Sequence, residues 1–312
     1  MYYEQEKEAA LKSKVLPQTM KPDFKQFWER EVAQLRQIPI QIKRKKLDMP
    51  YEKSFITYEI SYNTHDDTWI DAWFSVPVNA KGKLPCVVYY HGANGRRSIF
   101  ADIVATGVCC FSMDVRGQSG TSIDKAVYRS GGINGGLLSQ GILEKENCYL
   151  RNIYLDAIRA MDVVAQLEEV DPERIVTYGG SQGGALSIVA SALSGHSRKC
   201  YTQITSFSCL KNRVELGGGF MQSLYDFLKC YPIHADTVFD VLTYFDTANM
   251  VSLLDVPADF CIGLADKVCL PHFVYSIYAH AACEKKLYLY PFTPHEVQAA
   301  YRRIAHSEFA KL

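Results

Sequence analysis

Gly179-Gly180-Ser181-Gln182-Gly183-Gly184 separates the run Arg174 to Gly180, rich in β-branched and aromatic residues, from the apolar, helically spaced run Ala185 to Gly195. A GxSxG serine between a strand and a helix has the pattern of a nucleophile elbow, a tight turn that leaves the hydroxyl exposed above a sheet. A glycine-rich strand-to-helix turn that only packs tightly, or that binds a phosphate, has the same composition. A serine hydroxyl is a weak nucleophile at neutral pH, so acyl transfer needs a histidine to take its proton and a carboxylate to hold that histidine. Asp266 closes the run ADFCIGLAD, and His295 follows KLYLYPF in the loop TPHE. Each ends a different predicted strand, and the order Ser181, Asp266, His295 is the order of a hydrolase triad. His272, His280 and His306 are rivals for the base but fall within predicted helices. Asp246, Asp255 and Asp259 precede the strand end and read as caps or turns.

The tetrahedral intermediate of acyl transfer carries a negative oxygen that needs two fixed N–H donors. The candidates are the backbone amides of Gln182, just after the serine, and Ala93, in the loop His91-Gly92-Ala93-Asn94-Gly95. That loop also reads as a plain turn, because Asn-Gly is a strong turn signal. His91 precedes the serine at a different strand end and is expected to shape the loop rather than to act as the base.

The elements that must carry these residues are legible as alternating patterns. Near-continuous apolar runs at Leu84 to Gly92, Val108 to Gly117, Arg174 to Gly180, Cys200 to Phe207, Ala258 to Asp266 and Lys286 to Phe292 read as strands buried on both faces. Helical spacing marks Tyr154 to Val170, Ala185 to Gly195 and Pro271 to Ala281. The predicted class is therefore α/β, a mostly parallel central sheet with helices on both faces. Before it stand a polar arm, an amphipathic helix presenting Phe24, Trp28, Val32 and Leu35, and an antiparallel hairpin from Ser54 to Pro77. Residues 1–312 are expected to form one domain, with 1–50 as N-terminal arm and helix, 121–150 as a glycine-rich segment and 211–250 as an aromatic, cap-like insertion. Both long connections are expected to wall the active site. Tyr225 and Phe245 are candidate platforms for a sugar ring.

Lysine plus arginine and aspartate plus glutamate both number 34, which leaves no basic excess for nucleic acid or for an anionic membrane. Met1 to Val15 lacks the apolar core of a signal peptide, and no run approaches the roughly 20 apolar residues that span a bilayer. A cytoplasmic location is expected. The ten cysteines sit mostly in apolar stretches without a CxxC pair, so they read as reduced thiols, with no metal site.

Several of these segments carry a resemblance. DVRGQSG at Asp114 to Gly120, the GGSQGG turn, Asp266 in LADKVCLP, and His295-Glu296 resemble the RGQ, GxSxG, Asp and HE motifs of carbohydrate esterase family 7, the acetyl xylan esterase and cephalosporin C deacetylase group. The similarity extends from KPDFKQFWE at Lys21 to the final helix. It implies an α/β-hydrolase fold, no cofactor, and deacetylation of small acetylated sugars, chiefly xylo-oligosaccharides, and of cephalosporin C. It also implies a homohexamer. Ser181 would be the nucleophile, His295 the base and Asp266 the orienting acid, with Ala93 and Gln182 as oxyanion donors. Arg116, Gln118 and Glu296 would be supporting residues, and an Arg116–Glu296 ion pair is expected to fix the loop carrying His295. The family commonly has a tyrosine where Ala93 stands, so a reshaped acyl pocket is expected. A peptidase or acyltransferase on the same scaffold, and a binding protein built on a dead hydrolase, are the competing readings.

Overall fold

The structure is a computed structural model that describes residues 2–50, 53–78 and 81–312. Its centre is a nine-stranded sheet made of β1 (Ile42–Lys46), β2 (Phe55–Asn63), β3 (Trp69–Pro77), β4 (Leu84–Tyr90), β5 (Cys109–Met113), β6 (Val170–Gly180), β7 (Ser197–Gln203), β8 (Ala258–Gly263) and β9 (Lys285–Tyr290). The strand order is β1-β2-β3-β5-β4-β6-β7-β8-β9. β1, β2, β3 and β5 pair antiparallel, and from β5 through β4 to β9 every pairing is parallel. The helices are α1 (Tyr2–Lys12), α2 (Phe24–Gln37), α3 (Ala101–Val104), α4 (Tyr149–Val164), α5 (Gln182–Leu193), α6 (Leu210–Glu215), α7 (Gln222–Cys230), α8 (Ala235–Leu242), α9 (Thr247–Met250), α10 (Pro271–His280) and α11 (Ala299–Phe309).

Alternation along each strand divides the core. Cys86, Val88 and Tyr90 of β4 join the cluster that buries α2, α4 and α5, while Val87 faces the smaller cluster formed with α3 and α11. Both faces are thus covered, as a parallel sheet requires. Trp28 of α2 is fully buried and donates its indole N–H to the Tyr244 carbonyl, which fastens the N-terminal helix to the insertion.

The structure departs from expectation in four places. The polar arm contains α1, whose Leu11 packs with Ile262 and Tyr275. β1 is an unexpected edge strand, IKRKK, whose charged residues hide its strand character and blunt a free sheet edge. α4 begins at Tyr149 and stops at Val164, ahead of the expected end at Val170, because Val170 already pairs with Leu84 in the sheet. The run Cys200 to Phe207 leaves the sheet at Gln203; Ile204 and Phe207 then take positive φ values, 42° and 58°.

Candidate active site

β4 and β6 are neighbours whose onward connections run to opposite sides of the sheet, so a crevice opens where they end. β6 delivers Ser181 to that crevice at φ 56°, ψ −123°, a backbone conformation that a side chain rarely tolerates. The turn is held from outside. The Ser181 N–H donates to the Gln203 carbonyl at 3.0 Å, and the Ser181 carbonyl accepts from Gly184 at 3.0 Å and Ser206 at 3.1 Å. Gly179 and Gly183 are required by contact, since a Cβ on either would collide with the backbone opposite, Gly183 against the Tyr90 carbonyl.

Asp266 follows β8 and is 3% exposed. Its Oδ1 accepts the N–H groups of Val268 at 2.7 Å and Cys269 at 2.9 Å, and its Oδ2 pairs with His295 Nδ1 at 2.8 Å. His295 stands between β9 and α11, with one ring nitrogen fixed by Asp266 and the imidazole lining the same pocket as Ser181. The Cys269 thiol lies beside the Ser181 hydroxyl; burial pushes it up to about 12, so it is neutral and serves as a wall. Asp266, Cys269 and His295 bring ligand-type atoms within 4.8 Å of one another. The carboxylate already accepts three hydrogen bonds and the thiol is neutral, which is the bonding of a charge-orienting pair rather than of a metal cage. His272, His280 and His306 do not line this pocket; His280, for one, hydrogen-bonds to the Leu16 carbonyl.

On the opposite wall, His91 accepts from the Val115 N–H through Nε2 at 2.9 Å and donates from Nδ1 to the Gly92 carbonyl at 2.7 Å. Burial lowers its pKa, so it is a neutral strut. Gln118 ties this loop to the serine turn. Its Oε1 accepts from the Asn94 N–H at 2.8 Å, and its Nε2 donates to Gln182 Oε1 at 2.8 Å and to the Tyr149 hydroxyl at 3.1 Å. The residues on either side of the crevice, Ala93-Asn94 and Gln182, are thereby linked by one side chain.

Arg116 does not pair with Glu296. It is fully buried and holds three carboxylates: Asp156 at 2.6 and 2.7 Å, Asp66 at 2.5 Å and Asp124 at 3.2 Å. The expected pair fails because Arg116 is fully buried among these carboxylates, whereas Glu296 is exposed, its N–H donating to the Pro294 carbonyl. Arg116 instead joins the β2–β3 turn, the glycine-rich segment and α4 beneath the Gln118 loop. Asp156 is pushed up to about 6 by burial, with Arg116 opposing that rise.

Ser181, His295 and Ala93 line one pocket of about 290 Å³. Its walls come from the serine turn, from Thr205–Ser208 after β7, from Cys269 and Phe273, and from the insertion through Arg213, Phe220 and Met221. The glycine-rich segment does not wall this pocket. It lines an adjoining cavity of about 420 Å³ through Asn134 and Leu137, and the two spaces share Asn94 and Phe220. Neither suggested aromatic platform lies in the pocket: Phe245 is fully buried against Phe27 and Trp28, and Tyr225 faces elsewhere. Sequence reasoning passed over Cys269, Arg213 and Thr205–Ser208. Only Cys269, three residues past Asp266, carried a usable positional signal.

An open α/β sheet with a strained serine at its switch point and a paired Asp–His beyond later strands is the α/β-hydrolase arrangement. Residues 10–312 match the family model for acetyl xylan esterase (AXE1), and the chain belongs to that family. The structure is similar to the acetyl xylan esterase from Paenibacillus sp. R4, with 31% identity, a TM-score of 0.91 and coverage of 97% of this chain and 98% of that one. It is also similar to acetyl xylan esterase 1 from Thermoanaerobacterium sp. JW/SL YS485, with 26% identity, a TM-score of 0.89 and the same coverage. Among curated proteins it is similar to acetyl esterase Axe7A of Xylanibacter ruminicola, 25% identical over 289 residues. That match takes in 89% of this chain, which spans 64% of the relative's length. No helix among the described residues is long and apolar enough to cross a membrane.

Proposed function

We propose that this chain is a serine esterase that removes acetyl groups from small acetylated sugars such as xylo-oligosaccharides. The observation that carries the reading is the 2.8 Å Asp266–His295 bond at the wall of the pocket that holds Ser181 in its left-handed turn. In this mechanism His295 Nε2 takes the proton of Ser181 Oγ as that oxygen attacks the acetyl carbonyl. The ion pair with Asp266 stabilises the imidazolium so formed. The N–H groups of Ala93 and Gln182 receive the developing oxyanion. Collapse of the intermediate breaks the bond to the sugar oxygen, which leaves with the proton from His295. Water, deprotonated by His295, then releases acetate from Ser181.

Gln118 has a positioning role in this scheme, because it holds the Asn94 N–H and the Gln182 side chain on the two sides of the oxyanion site. Gln118→Ala is expected to lower kcat by about 10- to 100-fold with a smaller change in KM, since the loss falls on donors that act mainly in the transition state. Steady-state kinetics on 4-nitrophenyl acetate checks this; a change confined to KM would remove the role.

In this reading the acetyl group sits in the pocket of about 290 Å³ that Ala93, Cys269 and Phe273 help to line. Initial rates across 4-nitrophenyl acetate, butyrate and octanoate should therefore fall steeply with chain length. Butyrate matching acetate would mean that Ala93 has opened the pocket and that a longer acyl ester is the substrate. The homohexamer implied by the resemblance belongs to the same proposal, and sedimentation at micromolar concentration that shows only monomer would remove it.

A further inference from the structure

Among the described residues, Arg213 is the only one with a fixed charge lining the Ser181 pocket, and no aspartate or glutamate lines it. Its guanidinium reaches three backbone carbonyls: Val268 through Nε at 3.2 Å, Gly217 through Nη1 at 2.6 Å and Gly218 through Nη2 at 3.3 Å. Carbonyls use three of its five N–H groups but do not neutralise its charge. Three well-buried arginines elsewhere meet a carboxylate: Arg97 meets Asp114, Arg116 meets Asp156, and Arg151 meets Glu31. Arg159, fully buried away from this pocket, donates to the Asn63 and Ile38 carbonyls and makes no ion pair among the described residues, so Arg213 is set apart by its place on the Ser181 pocket. Arg213 makes no ion pair among the described residues, and burial lowers its pKa with only the Cys269 thiol opposing.

The same pocket holds a second unmet donor. Ser206 Oγ is buried and has no hydrogen-bond partner, although its backbone N–H is engaged with Ser181. A cation without an anion and a hydroxyl without an acceptor both lack an acceptor-rich, negatively charged group. A carboxylate supplies that group, with two oxygens able to take several donors at once.

We infer that Arg213 selects acetate esters whose alcohol carries a carboxylate, as an acetylated uronic acid does. The inference rests on the esterase reading above and narrows its substrate class. An acetyl group carries no charge, so the carboxylate belongs to the leaving alcohol. At about 290 Å³ the pocket brings Arg213 and Ser181 within the span of one small substrate. The contrasting role is a structural clamp, in which Arg213 ties the Gly217–Gly218 turn to the loop after Asp266. A clamp would affect charged and neutral substrates equally.

The test compares kcat/KM for 4-acetoxybenzoate and 4-acetoxybenzamide, each normalised to its hydroxide-catalysed rate, in the wild type and in Arg213→Lys and Arg213→Gln. The wild type should favour the carboxylate by about 10- to 100-fold through a lower KM, the range for a charge-assisted hydrogen bond. Arg213→Lys should keep part of the preference, and Arg213→Gln should bring the ratio to about one. A wild-type ratio near one overturns the inference. So does an Arg213→Gln variant that lowers both rates by one factor and leaves the ratio unchanged. Absence of hydrolysis of either ester by the wild type would strike the esterase reading itself, and this inference with it.

Discussion

Ser181→Ala is expected to lower kcat toward 4-nitrophenyl acetate by about 10⁵- to 10⁶-fold, the scale on which removing the nucleophile of a serine hydrolase acts. The loss should appear in kcat rather than KM, because the pocket walls and the two proposed oxyanion donors remain. Ser181→Gly should be as inactive but more stable. Only glycine adopts φ 56°, ψ −123° without strain, and at a serine such strain amounts to roughly 1–3 kcal/mol. Alanine keeps the Cβ and with it the strain, so the pair separates loss of the hydroxyl from relief of the backbone. Equal melting temperatures for the two variants would show that the turn stores no such strain.

Arg116→Met is expected to destabilise the protein by about 3–5 kcal/mol, because removing one partner of a buried ion pair leaves the others uncompensated. Asp66, Asp124 and Asp156 would then face one another without the guanidinium they share. The deficit should grow with pH. Burial already raises Asp156 to about 6, so the folded state binds its proton more tightly than the unfolded chain, and stability from this group falls as pH rises from about 4 through 6. Asp66, which is lowered in the folded state by Arg116 against the pull of burial, gives stability above about pH 4 that the variant loses. Urea midpoints at pH 5 and pH 8 read both effects. A deficit below about 1 kcal/mol, or one that shrinks at pH 8, would contradict this account of the cluster.

The fold was legible wherever burial imposes a pattern. Strands sandwiched between helices are largely apolar, so β4, β5 and β8 announce themselves, and Asp266 and His295 are read by asking what ends such strands. β1 was not legible, because an edge strand of lysines and arginines reads as a solvated loop. The error over Arg116 has a related cause. Its acidic partners come from a turn, a glycine-rich loop and a helix, at positions 66, 124 and 156, and nothing in local spacing links them. Glu296, adjacent to His295 in the chain, suggested a pairing that only the third dimension excludes. Phe245 shows the same limit: an aromatic residue in an insertion serves equally well as pocket wall or as core, and contact with Trp28 decides for core.

The central claim is that Ser181 forms the covalent intermediate. Incubation of the folded protein with a fluorophosphonate, followed by peptide mass spectrometry, tests it most directly. The account predicts one modification per chain, on the peptide containing Ser181, with esterase activity lost in step and no labelling of Ser181→Ala. Labelling at another residue, or undiminished activity after Ser181 is fully modified, would contradict it.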